Sequence, residues 1–406
     1  MKHQILFSAL LLTLFSCDTK LGEVVTYVTA PNSLNGSESS LHKSDDGTIY
    51  ISWIETGTDN SSKLLLSKLG NNNTWSETQI IATGNNWFLN WADFPSVVSF
   101  GNNLAAHYLE KSASDTYAYD VKLAISNNDG NSWSTAITPH TDSTNTEHGF
   151  VSKVAMNDDS FLSVWLDGRQ MAYAEQDSSI AKQMTLRGAV FDSNGKIENE
   201  YLLDGRVCDC CQTDVAMSED GPIVIYRDRS ETEIRDIYYV KQIDGIWTEP
   251  KAIYNDNWKI TGCPVNGPAI STKKSTVAVA WFTVADNLPS VKVIFSNDNG
   301  QTFNEPIEIG NVAPLGRVDV EMLEDNSALV SWMDTIEGKT SIKLQRVAKN
   351  GKLSNIITLA ESSESRSSGF PRMVVKDNLA YITWTKVNDG NKLSIETAIV
   401  NTDLIE

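Results

Sequence analysis

Short apolar strands, separated by turns rich in Asp, Asn and Gly, repeat along the whole chain. In each repeat the second predicted strand ends in an aromatic residue, as in residues 50–53 (YISW) and 277–281 (VAVAW). These closing aromatics fall at positions 53, 108, 165, 226, 281, 332 and 384, so neighbouring copies lie 51 to 61 residues apart. Such an even spacing is typical of one repeat domain rather than of several independent domains.

Each repeat has room for four short strands joined by tight polar turns, which is the pattern of a propeller blade. The last repeat supplies only three strands before the chain ends, and residues 24–28 (VVTYV) are predicted to be its missing outer strand. Pairing there would remove an open sheet edge. We therefore predict an all-β fold, a single β-propeller with seven blades closed by an N-terminal strand. An open stack of β-repeats is the alternative.

The N-terminus has the features of an export signal. A basic start, MKHQ, precedes an apolar run over residues 5–15 that is too short to anchor the chain across a bilayer. Residues 14–17 (LFSC) resemble the lipobox of bacterial lipoproteins, in which the cysteine is lipidated. The alternative is an ordinary cleaved signal peptide with an incidental cysteine.

These features divide the chain into three parts. We predict a lipoprotein signal peptide over 1–16, a lipid-anchored segment with the closing strand over 17–35, and the propeller over 36–406. Lipid on Cys17 would be the only membrane attachment, which would place the protein in the cell envelope, in the periplasm or on the outer surface. The formal net charge of −19 argues against nucleic acid as a partner.

Two turns carry a more specific pattern. Residues 296–303 (SNDNGQTF) have Ser, Asp, Gly, Thr and an aromatic at the signature positions of the Asp-box, or BNR, repeat, and residues 126–133 (SNNDGNSW) are a second copy. In such a turn the carboxylate or amide accepts hydrogen bonds from its own backbone, and Gly adopts a positive φ. From about residue 36 onwards the chain resembles the sialidase-like propellers. The resemblance implies that these turns are structural and lie away from the active site.

The resemblance also implies a carbohydrate-active protein. The Phe/Tyr-Arg-Ile-Pro motif of sialidases has its nearest counterpart at residues 370–372 (FPR), far from its usual place near the start of the domain. We therefore predict a glycan-processing enzyme, with glycoside hydrolysis as the reaction class implied. A propeller that binds glycan or protein without catalysis is an alternative, as is a metal-binding envelope protein.

Chemistry is expected on one face of the ring. Loops that enter the first strand of a blade, and loops that join its second and third strands, emerge on the same side, here called the mouth face. Guanidinium groups there would suit an acidic glycan or another anionic ligand. The expected substrate-binding residues are Arg169, Arg227, Arg229, Arg235, Arg317 and Arg372. Asp167 or Asp228 would act as general acid or base, and Tyr226 or His148 is a candidate nucleophile or base. Alternatively, these charges pair with one another.

Four further cysteines fall in two neighbouring loops of the mouth face, namely Cys208, Cys210, Cys211 and Cys263. In an oxidising compartment such a group usually forms disulfides, and pairing Cys263 with one of the other three would join two blades. A thiolate site for copper(I) or zinc is the alternative. Apart from such a metal, no cofactor is expected.

Overall fold

The computed structural model describes residues 24–31, 35–310 and 313–406. The predicted signal peptide and Cys17 lie outside these residues. Seven antiparallel sheets follow one another around a central axis, and each runs outward from its first strand. The prediction of a seven-bladed β-propeller is therefore confirmed.

The first three blades hold eleven named strands and one helix. Blade 1 consists of β2 (Gly36–Lys43), β3 (Ile49–Thr56), β4 (Ser62–Lys68) and β5 (Gln79–Gly84). Blade 2 consists of β6 (Val97–Phe100), β7 (Asn103–Lys111) and β8 (Tyr119–Ser126). Blade 3 consists of β9 (His148–Asn157), β10 (Ser160–Asp167), β11 (Met184–Asp192) and β12 (Ile197–Val207), with helix α1 (Arg169–Gln176) after β10. A bridge between Leu123 and Ile137 marks the fourth position of blade 2.

Blades 4 to 7 follow the same plan. Blade 4 consists of β13 (Asp214–Ser218), β14 (Gly221–Arg227), β15 (Ile237–Ile243), β16 (Ile246–Trp247) and β17 (Lys251–Ala252). Blade 5 consists of β18 (Ala269–Lys273), β19 (Thr276–Thr283), β20 (Ser290–Ser296) and β21 (Ile307–Ile309). Blade 6 consists of β22 (Pro314–Met322), β23 (Ala328–Ile336), β24 (Lys339–Val347) and β25 (Ile357–Ser362). Blade 7 consists of β26 (Arg372–Lys376), β27 (Leu379–Val387) and β28 (Leu393–Asn401).

The ring closes through its N-terminal strand. Strand β1 (Val25–Val28) pairs antiparallel with β28, with Val25 opposite Val400 and Val28 opposite Thr397. Val25 is buried, and the Tyr27 hydroxyl donates to the carbonyl of Leu359 in blade 6 at 2.6 Å. The first and last parts of the chain thus share one sheet, and the predicted closure is confirmed.

The repeating aromatics fill the space between neighbouring sheets. Trp53, Trp165 and Trp281 have no exposed surface, and Trp332 is 1% exposed. Each lies on the second strand of its blade, where both faces of the sheet are covered by neighbours. Burial of such large side chains at equivalent places contributes about 2–3 kcal/mol each to stability.

The two turns with the shared motif have the same hydrogen bonds. The side chain of Asp298 accepts from the backbone N–H of Thr302, and that of Asn128 accepts from Ser132, both at 2.9 Å. Gly300 and Gly130 adopt φ of +75° and +82°. Asn299 also donates to the carbonyl of Ser275, between the first and second strands of blade 5. The turns therefore lie on the face opposite the mouth face.

One long connection covers the axis on the mouth face. Residues 85–96, here called the crossing loop, join blades 1 and 2. Trp91 stacks on Phe370 of the loop entering blade 7, at 5.6 Å between ring centroids, and the Arg317 guanidinium of blade 6 lies 4.7 Å from the Trp91 ring. The carbonyl of Ala92 accepts from Gln212 of blade 4. Sequence spacing gave no sign of this loop, which closes the centre of the predicted mouth.

Beneath the crossing loop lies an axial cavity of about 240 Å³, lined by the first strands of all seven blades. Among the described residues, no helix is long and apolar enough to cross a membrane.

Candidate functional site

Asp167 and Arg169 form a buried pair rather than an open acid and an anion site. Arg169 donates to both carboxylate oxygens of Asp167 at 2.7 Å, and the Trp165 indole donates at 2.9 Å. Burial would raise the pKa of Asp167, but its hydrogen bonds and the charge of Arg169 hold it below the ordinary value. Asp167 has no exposed surface. It therefore lacks both the proton and the access that a general acid needs.

Arg227 and Arg317, two of the predicted anion-binding residues, bind backbone carbonyls. The Arg227 guanidinium donates to the carbonyls of Arg235, Asn266 and Phe282 and is 2% exposed. Arg317 is also buried; it donates to the Ser368 hydroxyl at 2.6 Å and to the Gly369 carbonyl at 2.9 Å. Both guanidiniums hold loops together, so neither is free to bind a substrate anion.

Arg372 lies on β26 rather than in a mouth loop. Its guanidinium reaches Asp319 at 3.3 Å, and Asp214 and Glu321 also stabilise its charge. All four residues line the axial cavity. The structure thus separates Arg372 from the other predicted site residues.

Tyr226 and Asp228 lie side by side at the boundary between blades 3 and 4. The Tyr226 hydroxyl donates to Asp204 at 2.5 Å and is buried, and burial raises its pKa well above the ordinary value. Burial, followed by the charge of Asp204, raises the pKa of Asp228 to about 7. Asp228 could carry a proton at neutral pH, but only 9% of its surface is exposed.

Arg229 and Arg235 belong to an ion-pair network on the mouth face. Arg229 donates to Glu233 at 2.7 Å and reaches Asp209 at 3.2 Å, while Arg235 donates to Glu233 at 2.8 Å. Hydrogen bonds from the two arginines hold the pKa of Glu233 down to about 2. The side chains of Arg229 and Asp209 are each 29% exposed, so solvent reaches this network.

The structure adds Glu147, which sequence reasoning missed. Glu147 precedes β9, and its carboxylate accepts from the Tyr119 hydroxyl at 2.7 Å. Burial, followed by the charges of Asp209 and Cys208, raises the pKa of Glu147 to about 7, although the bond from Tyr119 opposes the shift. Glu147 is half-buried, in contrast to Asp167. Its place directly before His148, in a loop entering a blade, was the one signal the sequence offered.

These groups come from three consecutive blades. Tyr119 opens the third strand of blade 2, Glu147 precedes blade 3, and Asp209 lies in the loop that precedes blade 4. Glu147, whose raised pKa lets it hold a proton near neutral pH, therefore lies within electrostatic reach of Asp209. The Asp209 carboxylate is in turn ion-paired with Arg229. Two carboxyls in different environments can divide the roles of acid and base between them.

Two stacked histidines lie behind this site. The rings of His140 and His148 are parallel within 5° and 3.7 Å apart. One edge of the stack faces Asp142, at 3.0 and 3.3 Å, and the other faces Asp120, at 3.7 and 3.9 Å. The group has the residue types of a metal site. Because the lone pairs of parallel rings cannot converge on one ion, this arrangement suits a shared proton better than a metal.

The cysteines divide into one disulfide and two thiols. Cys210 is bonded to Cys263 and so joins the loops that precede blades 4 and 5. Cys208 and Cys211 are free and buried, with 3.6 Å between their sulfurs.

Comparison with known proteins bears on the fold alone. No protein-family model matches this chain, and no curated protein is similar to it in sequence. Similar solved structures include a protein of unknown function from Dyadobacter fermentans, with a TM-score of 0.52 and 13% identity over 94% of this chain and 98% of that one. They also include the GH93 α-L-arabinofuranosidase of Fusarium graminearum, with a TM-score of 0.49 and 13% identity over 94% and 98%.

The NanB sialidase of Streptococcus pneumoniae is another, with a TM-score of 0.46 and 12% identity over 93% of this chain and 70% of that one. Identities this low carry no statement about substrate or reaction. The sheet order gives this chain the architecture of a seven-bladed β-propeller, and the similarity to the Dyadobacter fermentans protein agrees with that fold.

Proposed function

We propose that this protein is a glycan-processing enzyme whose active site lies on the mouth face around Glu147 and Asp209. The observation that supports the proposal is the place of Glu147, a half-buried carboxyl bound by the Tyr119 hydroxyl and within electrostatic reach of Asp209, where burial raises its pKa to about 7. An acid with this pKa donates and accepts protons efficiently near neutral pH.

The two carboxyls suit cleavage of a glycosidic bond. Glu147 would protonate the leaving oxygen, and Asp209, held by Arg229, would act as the base or the nucleophile. This division of roles is the one that glycosidases use. It replaces the sequence-based assignment of the acid or base to Asp167 or Asp228, because the Asp167 carboxylate is bound by Arg169 and Trp165 and Asp228 is only 9% exposed.

Aromatic surface beside the carboxyls supports a sugar as the ligand. The Phe88 ring stacks on Tyr119 at 4.0 Å between centroids, and Tyr117 lies at its edge. Tyr117 is 59% exposed and Leu89 is 41% exposed. Aromatic and apolar faces of this kind pack against the C–H faces of sugar rings while the hydroxyls remain hydrogen-bonded.

The proposed charge of the substrate rests on the cationic side chains that solvent can reach. Arg227 and Arg317 are buried, whereas the side chains of Arg229 and Arg206 are ion-paired but 29% and 33% exposed, so we propose that these two contact an acidic sugar. We retain an acidic glycan as the proposed substrate. Sialosides, uronate polysaccharides and sulfated polysaccharides, compared with neutral glycans, test this choice.

The experiment compares wild type with Glu147→Gln and Asp209→Asn on that glycan panel. We expect turnover by wild type to fall above pH 7 as Glu147 loses its proton, and Glu147→Gln to lower kcat by about 100-fold or more. Glu175→Gln is the matched control, because Glu175 lies on helix α1 of the same face, outside the proposed site, and its side chain is 70% exposed. Glycan binding without turnover in folded wild type would instead indicate a non-catalytic binding propeller, and full activity in Glu147→Gln would refute the assigned acid.

We also propose that the protein is held in the cell envelope by lipid on Cys17. The apolar run over residues 5–15 and the LFSC sequence support this proposal. Membrane fractionation of wild type and Cys17→Ser tests it. We expect wild type in the membrane fraction and the variant in the soluble envelope fraction; equal membrane association of both would contradict lipidation.

A further inference from the structure

The four cysteines of the mouth face lie close enough together to react with one another. Cys208 and Cys211 are 1% and 2% exposed, whereas Cys263, at the other end of the disulfide, is exposed. The sulfurs of Cys208, Cys210 and Cys211 all lie within 4.8 Å of one another. A buried dithiol therefore stands against a disulfide whose far end reaches solvent.

The surroundings distinguish the two thiols. Arg235 donates to the Cys208 sulfur at 3.2 Å, and Arg227 lies nearby. The hydrogen bond from Cys211, together with the charge of Arg235, lowers the pKa of Cys208 to about 6 against the effect of burial. Burial raises the pKa of Cys211 well above its ordinary value. Cys208 is thus placed to be the nucleophilic thiolate and Cys211 its hydrogen-bonding thiol.

These contacts favour thiol chemistry over a zinc site. Two guanidiniums beside Cys208 oppose the approach of a cation, and the Cys210 sulfur is already bonded to Cys263. Two thiols remain, fewer than the three or four protein ligands usual for zinc.

We propose that the four cysteines form a thiol–disulfide relay, in which the buried Cys208–Cys211 pair exchanges with the exposed Cys210–Cys263 disulfide. This relay is a separate reaction from the proposed glycan chemistry, although the Cys208 charge also contributes to the raised pKa of Glu147. It gives the mouth face a second, redox activity toward disulfides in its surroundings.

The exchange has two steps. In the first, the Cys208 thiolate attacks the Cys210 sulfur, the Cys208–Cys210 bond forms, and the electron pair of the broken bond leaves on Cys263. In the second, Cys211 gives its proton to the Cys263 thiolate through solvent and attacks Cys208, which releases Cys210 as a thiolate.

One disulfide and two sulfhydryl groups are present before and after the exchange, together sharing one proton and one negative charge. The dithiol has moved from the interior to the surface. An external disulfide can then accept two electrons from Cys210 and Cys263 and leave as one thiol and one thiolate, which restores the Cys210–Cys263 bond. The protein is left with both disulfides formed.

Oxidised glutathione is the probe for this relay, with Cys17→Ser as the background so that four cysteines remain. Native protein is incubated with the probe, quenched with acid and alkylated, and its disulfides are mapped by mass spectrometry. We expect a Cys208–Cys211 disulfide to appear beside Cys210–Cys263. The double variant Cys210→Ser/Cys263→Ser should form the Cys208–Cys211 disulfide at about a tenth of the wild-type rate or lower, because the buried thiols then lack an exposed disulfide with which to exchange.

A second measurement does not depend on that double variant folding. Without any oxidant, a slow alkylating agent should label Cys210 and Cys263 in the native protein as the exchange exposes them. Cys208→Ser removes the attacking thiolate and should abolish this labelling, whereas Asp244→Ser, a substitution in the turn between β15 and β16 on the opposite face, should not.

Three outcomes would overturn the relay. Labelling of Cys210 and Cys263 that persists in Cys208→Ser would show opening of the disulfide by another route. Equal oxidation rates in wild type and the double variant would show direct attack on the buried pair. A stoichiometric zinc or copper ion that protects Cys208 and Cys211 in the purified protein would assign the pair to a metal.

Discussion

Replacing Glu321 by glutamine should make the fold more resistant to alkaline pH. Glu321 faces the axial cavity, where Ser271 donates to its carboxylate at 3.1 Å. Burial, followed by the charge of Asp319, raises the pKa of Glu321 from 4.5 to about 8. The folded protein therefore keeps a proton that the unfolded chain releases at a much lower pH.

This difference in pKa between the folded and unfolded states sets the direction and the size of the change in unfolding free energy with pH. Because the pKa of Glu321 is higher in the folded state, its favourable contribution to stability is fully present below pH 4.5. That contribution is lost as the pH rises toward 8. At about 1.4 kcal/mol for each pH unit over which the folded state alone holds the proton, the loss between pH 5 and pH 8 is about 3 kcal/mol. Glutamine keeps the shape and the hydrogen bond from Ser271 without the titration.

Urea denaturation at pH 5 and pH 8 measures the effect. We expect wild type to lose about 3 kcal/mol more unfolding free energy than Glu321→Gln over this interval. Glu308→Gln, on the exposed part of β21, should follow wild type because Glu308 faces solvent. Equal pH dependence in wild type and Glu321→Gln would refute the reasoning and would mean that Glu321 is ionised throughout.

Three further substitutions test the closure of the ring, the turns and the crossing loop by thermal and urea denaturation. Val25→Asp should lower the unfolding free energy by about 3 kcal/mol or more because it buries a charge in the closing strand. Thr26→Asp, on the exposed face of that strand, should change it by about 0.5 kcal/mol or less. Equal effects of the two substitutions would contradict the pairing of β1 with β28. Asp298→Ala should cost about 1–2 kcal/mol because the turn loses its acceptor for Thr302, and an unchanged midpoint would contradict this. Arg317→Met should lower the unfolding free energy by about 2–3 kcal/mol, since carbonyls such as that of Gly369 lose their donor. It should also increase proteolysis of the crossing loop, because Trp91 loses its contact with the guanidinium. An intact crossing loop in the variant would show that Trp91 is held without Arg317.

The fold could be predicted because its signals are local. The even spacing of the closing aromatics reports one buried position per blade, and Trp281 and Trp332 occupy it as expected. The closing strand could be identified because the last repeat supplies only three strands. Without a fourth strand, the outer edge of that sheet would have backbone groups without hydrogen-bond partners. Strand pairing between β1 and β28 confirms that inference.

The candidate site could be predicted only in its location. Loop order placed Asp209, Arg229 and Arg235 on one face, and the structure brings them together. It does not bring Arg372 there, because Arg372 begins an inner strand and its side chain faces the axial cavity. Glu147 was missed because a glutamate in a loop carries no pattern of its own.

The sequence by itself determined the number of blades, the closing strand and the face on which the charged loops meet, because each depends on periodicity along the chain. Only the tertiary structure decided which charges remain free. Arg169 binds Asp167, Arg317 binds loop carbonyls beneath Trp91, and Glu147 retains a raised pKa, all through neighbours distant in sequence. A pKa and a free hydrogen-bonding group depend on burial and on the nearest partners, and these are fixed when separate blades meet around the axis.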